Sequence, residues 1–198
     1  MKKRRRLSAK ERKKEIIEAA IKVFNKKGYK NCTMSDLIKA SGLSFGGFYY
    51  YYGSKEEILY DIMIEGNNYR IREDDKFIQN HPNLDPTDMF SKLLLNKLLD
   101  KNDMTPIYVM LMEETQHNEE LRKLYDKLIK NTITPLEEHF AEHNLNINSA
   151  WKSELVIGVI NSLFLGKYLL NLHDVFEKNS DKILKILRLI LDFDAADK

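Results

Sequence analysis

The chain has 198 residues, of which 43% are hydrophobic and 31% charged, with a formal net charge of +2. This composition suits one large domain, or a small domain joined to a bigger one, with a real core. The single cysteine, Cys32, excludes an internal disulfide and a cysteine-based metal cluster and fits the cytoplasm, while the longest apolar stretches, such as Ile107 to Met112, are far too short to span a bilayer.

In chain order, basic Met1 to Arg6 is followed by no apolar run, so no secretory signal is expected. Ser8-Ala9-Lys10-Glu11 has the spacing of a capping box. Behind it Ile16, Ile17, Ala20, Ile21 and Phe24 recur at helical spacing until Lys27-Gly28. Thr33-Met34-Ser35-Asp36 opens a short second helix carrying Leu37, Ile38 and Ala40, stopped by Gly42. Leu43 fills the turn, and Ser44 caps a third short helix through about Tyr50. Ser54-Lys55-Glu56-Glu57 is a third capping box, opening a long helix to about Gln79. His81 to Pro86 reads as a loop, and Asp85-Pro86-Thr87-Asp88 as a helix start. Helices are then predicted over 86–100, 104–117, 118–143, 149–173 and 180–193. No stretch alternates with period two, so the expected fold class is all-α, with about nine helices.

Charge divides the chain. Residues 1–60 hold 15 Lys+Arg against 6 Asp+Glu, a balance of +9; residues 61–198 hold 17 against 24, a balance of −7. A basic end on an acidic body suggests that the basic end alone meets a polyanion.

Two short helices joined by a glycine-containing turn form a helix-turn-helix, whose second helix enters the major groove of DNA N-terminal end first. Here that end is Ser44-Phe45-Gly46-Gly47. Glycine inside a helix costs about 1 kcal/mol relative to alanine. The pair is either a weak helix end, where glycine costs little, or a clearance for close backbone approach with N–H groups aimed at phosphate. Five aromatics follow. Phe48 and Tyr52 share one face and answer to a core with Leu37, Ile38 and Leu43; Tyr49 and Tyr50 must point elsewhere, and Tyr51 lies between.

The stretch Ser44-x-Gly46-Gly47-Phe48-Tyr49-x-Tyr51-Tyr52-x-Ser54-Lys55-Glu56-Glu57, with Phe24, Gly28, Thr33 and Gly42 in register upstream, resembles the DNA-binding domain of the TetR family of bacterial transcription regulators. The motif covers about the first quarter of the chain. The resemblance implies a helix-turn-helix domain over 1–53 and a helical ligand-binding and dimerisation domain over 54–198. It implies that Thr33 starts the first motif helix beside phosphate, that Tyr49 contacts the DNA backbone, that Tyr50 lies on the DNA side and that Lys55 neutralises a phosphate. Position 45, often basic in the family, is Phe45, and no Lys or Arg lies between Ser41 and Ser54. Guanine reading by a basic side chain of this helix is therefore absent; apolar contact of Phe45 with thymine methyls and some shape readout are expected instead. Arg4-Arg5-Arg6 adds phosphate or minor-groove contacts in this reading.

In the body, apolar residues of 180–193 cover nearly the whole helix circumference, so more than one face is buried. Gly158, Ser162 and Gly166 form a stripe of small residues that either permits close helix approach or floors a cavity. The resemblance implies that the last two helices pair with their mates in a homodimer reading a two-fold operator. It also implies a small-molecule effector that releases the operator by population shift, through the long helix from Ser54. Candidate lining residues are Tyr69, Phe90, Tyr108, Met112, Glu113, His117, Trp151, Asn161, Phe164 and Tyr168. If either of Glu113 and Glu114 is buried, a cationic ligand is favoured.

The rival reading is a helical-bundle enzyme or metal-binding protein with an incidental helix-turn-helix. Glu114-x-x-His117 occurs once, where di-iron bundles need it twice. His139 and His143 have zinc-pair spacing, but Phe140 stands where a zincin places glutamate. The expectation is therefore no metal, no cofactor and no catalysis.

Overall fold

The computed structural model describes residues 7–143, 145 and 154–196, and these form ten helices with no strand among them. They are α1 (Ala9–Asn31), α2 (Met34–Ser41), α3 (Phe45–Tyr49), α4 (Lys55–Asn80), α5 (Pro86–Leu99), α6 (Thr105–Glu114), α7 (Glu119–Glu142), α8 (Glu154–Leu169), α9 (His173–Lys178) and α10 (Ser180–Ala196). They gather into two compact units. The first runs to Gly66 and takes in Asn102–Ile129; the second holds Asn67–Lys101 and the residues from Lys130 onward.

The caps expected from sequence set the helix starts. Ser8 and Glu11 form a reciprocal capping box on α1, and Thr33 and Asp36 form one on α2. Ser54 Oγ accepts from the Glu57 N–H at 3.2 Å, while the Glu57 carboxylate turns back to the Gly53 N–H at 2.7 Å. Asp85 accepts from the Asp88 N–H at 3.0 Å, with Pro86 at the first helical position of α5. Each such cap contributes about 1 kcal/mol. Gly28, with φ of +74°, breaks α1 one turn before its end, and Gly42, with φ of +64°, closes α2.

The first unit has one core. Ile16, Ala20 and Phe24 of α1, spaced by four, meet Leu37 of α2, Phe48 of α3, Ile58, Leu59 and Ile62 of α4, Ile107 and Leu111 of α6 and Leu121 of α7. At about 1.5–3 kcal/mol for each large buried side chain, this core holds α3, a helix too short to persist alone. Arg122 donates twice to the Thr115 carbonyl and so closes the end of α6. Cys32 is buried in the same core, and burial pushes its thiol pKa up. The packing unit is thus wider than the 1–53 segment that carries the motif.

In the second unit α5 packs along α10: Ile183, Leu187 and Leu191 form the buried stripe of α10, and Leu93 and Leu98 are buried on α5. Lys167 of α8 is buried and donates to the carbonyls of Leu98 (2.6 Å) and Asp100 (3.3 Å), capping α5 with a charge.

One helix differs from expectation. The segment expected as 149–173 is described from Glu154, and α8 ends at Leu169. Asn171 takes a left-handed φ of +54°, and the Leu172 N–H reaches back to Lys167 O at 2.8 Å. This is a Schellman turn with asparagine in place of glycine; it frees α9 as a separate helix and raises the number above nine. The small stripe on α8 also resolves. A Cβ on Gly158 or Gly166 would meet nothing within 4 Å, and Leu155, Gly158 and Ser162 are exposed. Within its unit the stripe faces outward, and Gly158 and Ser162 line an open surface groove with Leu155, Val159 and Leu163.

Candidate nucleic-acid interface

Helix α3 presents two opposite surfaces. Phe48 is fully buried, and Tyr52, just past the helix, is buried with its hydroxyl donating to Asp61 Oδ2 at 2.9 Å. Lys13 of α1 pairs with the same carboxylate oxygen at 3.1 Å and lies 4.8 Å above the Tyr52 ring. Burial, then Asp61, pushes the Tyr52 hydroxyl pKa up, so it stays a proton donor. These contacts fix the back of α3.

The front is open. Phe45 is 68% exposed, Tyr49 39% and Tyr50 79%. Phe45 and Tyr49, four apart, place their rings 4.5 Å from each other, and Tyr50 meets half-buried Tyr51 edge-on at 5.0 Å. Three rings without a core to fill form an aromatic ledge beside the N-terminus of α3.

The paired glycines separate. Ser44 caps α3, its Oγ accepting from the Gly47 N–H at 3.3 Å. A Cβ on Gly47 would sit 3.0 Å from that oxygen, so Gly47 has a local reason to lack a side chain. A Cβ on Gly46 would meet nothing within 4 Å. Nothing described inside the chain requires glycine there.

Thr33 is held by more than its own box. Lys27 pairs with Asp36 at 2.5 Å, and that bond, with the Thr33 N–H, holds the Asp36 carboxyl well below the usual carboxylate range. Lys55 is anchored as well: its ammonium donates to the Tyr29 carbonyl at 3.1 Å and lies 4.3 Å over the Tyr29 ring. The Tyr29 hydroxyl donates to Glu56. The roles of Lys13, Lys27 and Tyr29 were invisible to motif reading, because each joins residues far apart in sequence; only their residue types gave a signal. Arg4-Arg5-Arg6 lies outside the described residues.

A family model described as "Bacterial regulatory proteins, tetR family" matches residues 16–62, the span that builds this ledge and its support. The biofilm operon negative regulator IcaR of Staphylococcus epidermidis is 30% identical over 128 residues, which cover 60% of this chain and 68% of IcaR.

This chain belongs to the TetR family.

The transcriptional regulator YfiR of Bacillus subtilis, itself uncharacterised, is 32% identical over 117 residues, 59% of this chain. The match spans 57% of YfiR's own length. Among solved structures, Salmonella enterica GusR superposes with a TM-score of 0.67 at 18% identity, covering 93% of this chain and 95% of GusR. Bacillus subtilis FadR, solved with stearoyl-CoA, gives 0.59 at 19% identity, covering 91% and 96%. These two likenesses establish a TetR-type fold along nearly the whole length. No helix among the described residues is long and apolar enough to cross a membrane.

The candidate effector residues are divided between the two units. Tyr69, Phe90, Asn161, Phe164 and Tyr168 belong to the second unit; Tyr108, Met112, Glu113 and His117 belong to the first. Phe90 is buried, Tyr69 is half-buried with its hydroxyl on Asp100 at 3.2 Å, and Asn161 and Phe164 are half-buried. Glu113, His117 and Tyr168 are exposed. Glu114 is the buried member of its pair, and Lys30 neutralises it at 3.2 Å, so its burial needs no cationic ligand. Trp151 lies outside the described residues.

Proposed function

We propose that this TetR-family chain is a cytoplasmic, homodimeric repressor that is not an enzyme, with residues 1–53 binding a palindromic operator and residues 54–198 binding a small-molecule effector and the partner copy. The observation that carries the reading is the outward ledge of Phe45, Tyr49 and Tyr50 beside open Gly46. Its rings suit thymine methyls and sugar–phosphate edges, and Gly46 admits the backbone of α3 close to a phosphate. Thr33 and Ser44 sit at helix N-termini, where partial positive charge favours an anion. Gly47 keeps the Ser44 cap compact, and Lys55 has one ammonium hydrogen on Tyr29 and others to offer a phosphate.

Dimerisation through α8 and α10 is supported by their exposed apolar side chains: Leu155 and Leu169 on α8, which also carries the outward small stripe, and Ile186 and Leu189 on α10. A two-fold dimer places two copies of α3 on successive major grooves. Among the candidate lining residues, Tyr69, Phe90, Asn161 and Phe164 share the second unit and are at least half-buried, which supports them as the effector site, and α4, which has residues in both units, is the route by which occupancy reaches α3. Stearoyl-CoA belongs to the FadR structure; at that identity it only makes long-chain acyl-CoA a first compound to try here.

Selection of bound duplexes from a random pool with purified protein tests the reading. The expected consensus is palindromic, with thymine-bearing pairs where Phe45 docks. Failure to enrich any sequence, or enrichment of an asymmetric site by a monomer, would overturn it.

A further inference from the structure

Asp75 of α4, His139 of α7 and His143, just past the end of α7, meet in the second unit, although 64 and more residues separate Asp75 from the histidines in sequence. The two histidines are four apart at the end of α7, with their rings 5.1 Å from each other. Asp75 Oδ1 stands 2.8 Å from His143 Nε2 and 3.7 Å from His139 Nδ1. One ligand atom from each residue lies within 4.8 Å of the other two. We propose that Asp75, His139 and His143 form a binding site for one zinc-class divalent transition-metal ion.

The geometry is close to what such an ion needs. Metal–ligand bonds of about 2.0–2.1 Å in a tetrahedron place ligand atoms about 3.3 Å apart, and the two measured separations bracket that edge. The third separation, between the two imidazole nitrogens, is within 4.8 Å. Two imidazoles and a carboxylate favour zinc, cobalt or nickel over magnesium or calcium, which want oxygen alone. Three protein ligands leave the fourth position open to water or another small donor.

His143 is hydrogen-bonded to Asp75, and His139, only 7% exposed, turns its Nδ1 toward the same carboxylate oxygen. The Nε2 of His139, on the far side of the ring, has no hydrogen-bond partner among the described residues and takes no part in the proposed site. The neighbouring Phe140 is also buried, with Phe90 edge-on at 5.5 Å, so the site borders an apolar core.

The inference is independent of the DNA-binding reading, because its test reads metal and not DNA. Full-length protein is stripped with a chelator and titrated with Co2+ as the probe. The expected result is one equivalent per chain, with intense visible bands of a four-coordinate site, removed by stoichiometric Zn2+. Asp75→Asn and His143→Gln should each weaken binding by more than the roughly 10–100-fold that outer-shell changes cost. Circular dichroism of both variants checks folding, and His143, being half-buried, is the safer site. His173→Gln, in the exposed His173–Asp174–Glu177 group, should change nothing. The proposal fails if the wild type takes up no stoichiometric Co2+. It also fails if folded His143→Gln binds as the wild type does, or if His173→Gln abolishes the bands.

Discussion

Gly46 and Gly47 are neighbours with opposite expected responses to one methyl group. Alanine at 47 pushes against the Ser44 hydroxyl 3.0 Å away, so Gly47→Ala should lose the cap and stability together. Alanine at 46 meets no described atom and gains helix propensity of up to about 1 kcal/mol. Gly46→Ala should therefore unfold at equal or higher denaturant concentration yet bind operator about tenfold more weakly, or about 1.4 kcal/mol. Urea titration and an operator-binding isotherm at fixed salt separate the two effects. Lys55 poses a related question, since Tyr29 already holds its ammonium. If its remaining hydrogens meet a phosphate, Lys55→Ala lowers the slope of log affinity against log salt by about 1. An unchanged slope with lower stability would assign Lys55 to Tyr29 alone.

At the scale of the element, α4 contains its own electrostatic test. Asp74 is buried against Arg70 at 2.9 Å, and burial outweighs that partner and pushes its pKa up to about 6. An Asp with a raised pKa binds more protons folded than unfolded, so its contribution becomes less favourable as pH rises from about 4 to 6. Asp74→Asn should therefore gain on the wild type by about 1.4 kcal/mol between pH 5 and pH 8, measured by urea unfolding at each pH. The element starts were legible in sequence because a cap is local. Ser8 with Glu11, Thr33 with Asp36 and Asp85 with Asp88 are each three residues apart. The break after α8 was not: Asn171 does there what glycine usually does, and a lone asparagine between Leu170 and Leu172 sends a weak signal. The aromatic division on α3 was legible from the 100° step alone. What held Lys55, what closed α5 with Lys167 and what met His143 were illegible, because each partner comes from a distant helix.

At the scale of the whole molecule, charge and apolar exposure imply a division of labour. The +9 balance of residues 1–60 predicts strong salt dependence of DNA binding, while the apolar face of α8 and α10 predicts self-association. Both helices carry large exposed side chains that no described residue covers, and a soluble monomer rarely leaves such a patch bare. Leu189→Glu places a charge in the proposed interface at a position exposed in the single chain. Sedimentation should then report a monomer with native helix content, and affinity for a palindromic operator should fall further than affinity for an isolated half-site. A dimer that survives the charge would move the interface elsewhere.

Cys32 makes the stability of the DNA-binding end measurable without any engineering. It is the chain's single thiol, 1% exposed in the core that supports α3, with a pKa raised by burial. A thiol reagent can label it only after that core opens, so the labelling rate is a clock for local unfolding. If operator binding clamps α2 and α3, the clock should slow when DNA is added and return to its unbound pace when salt strips the complex apart.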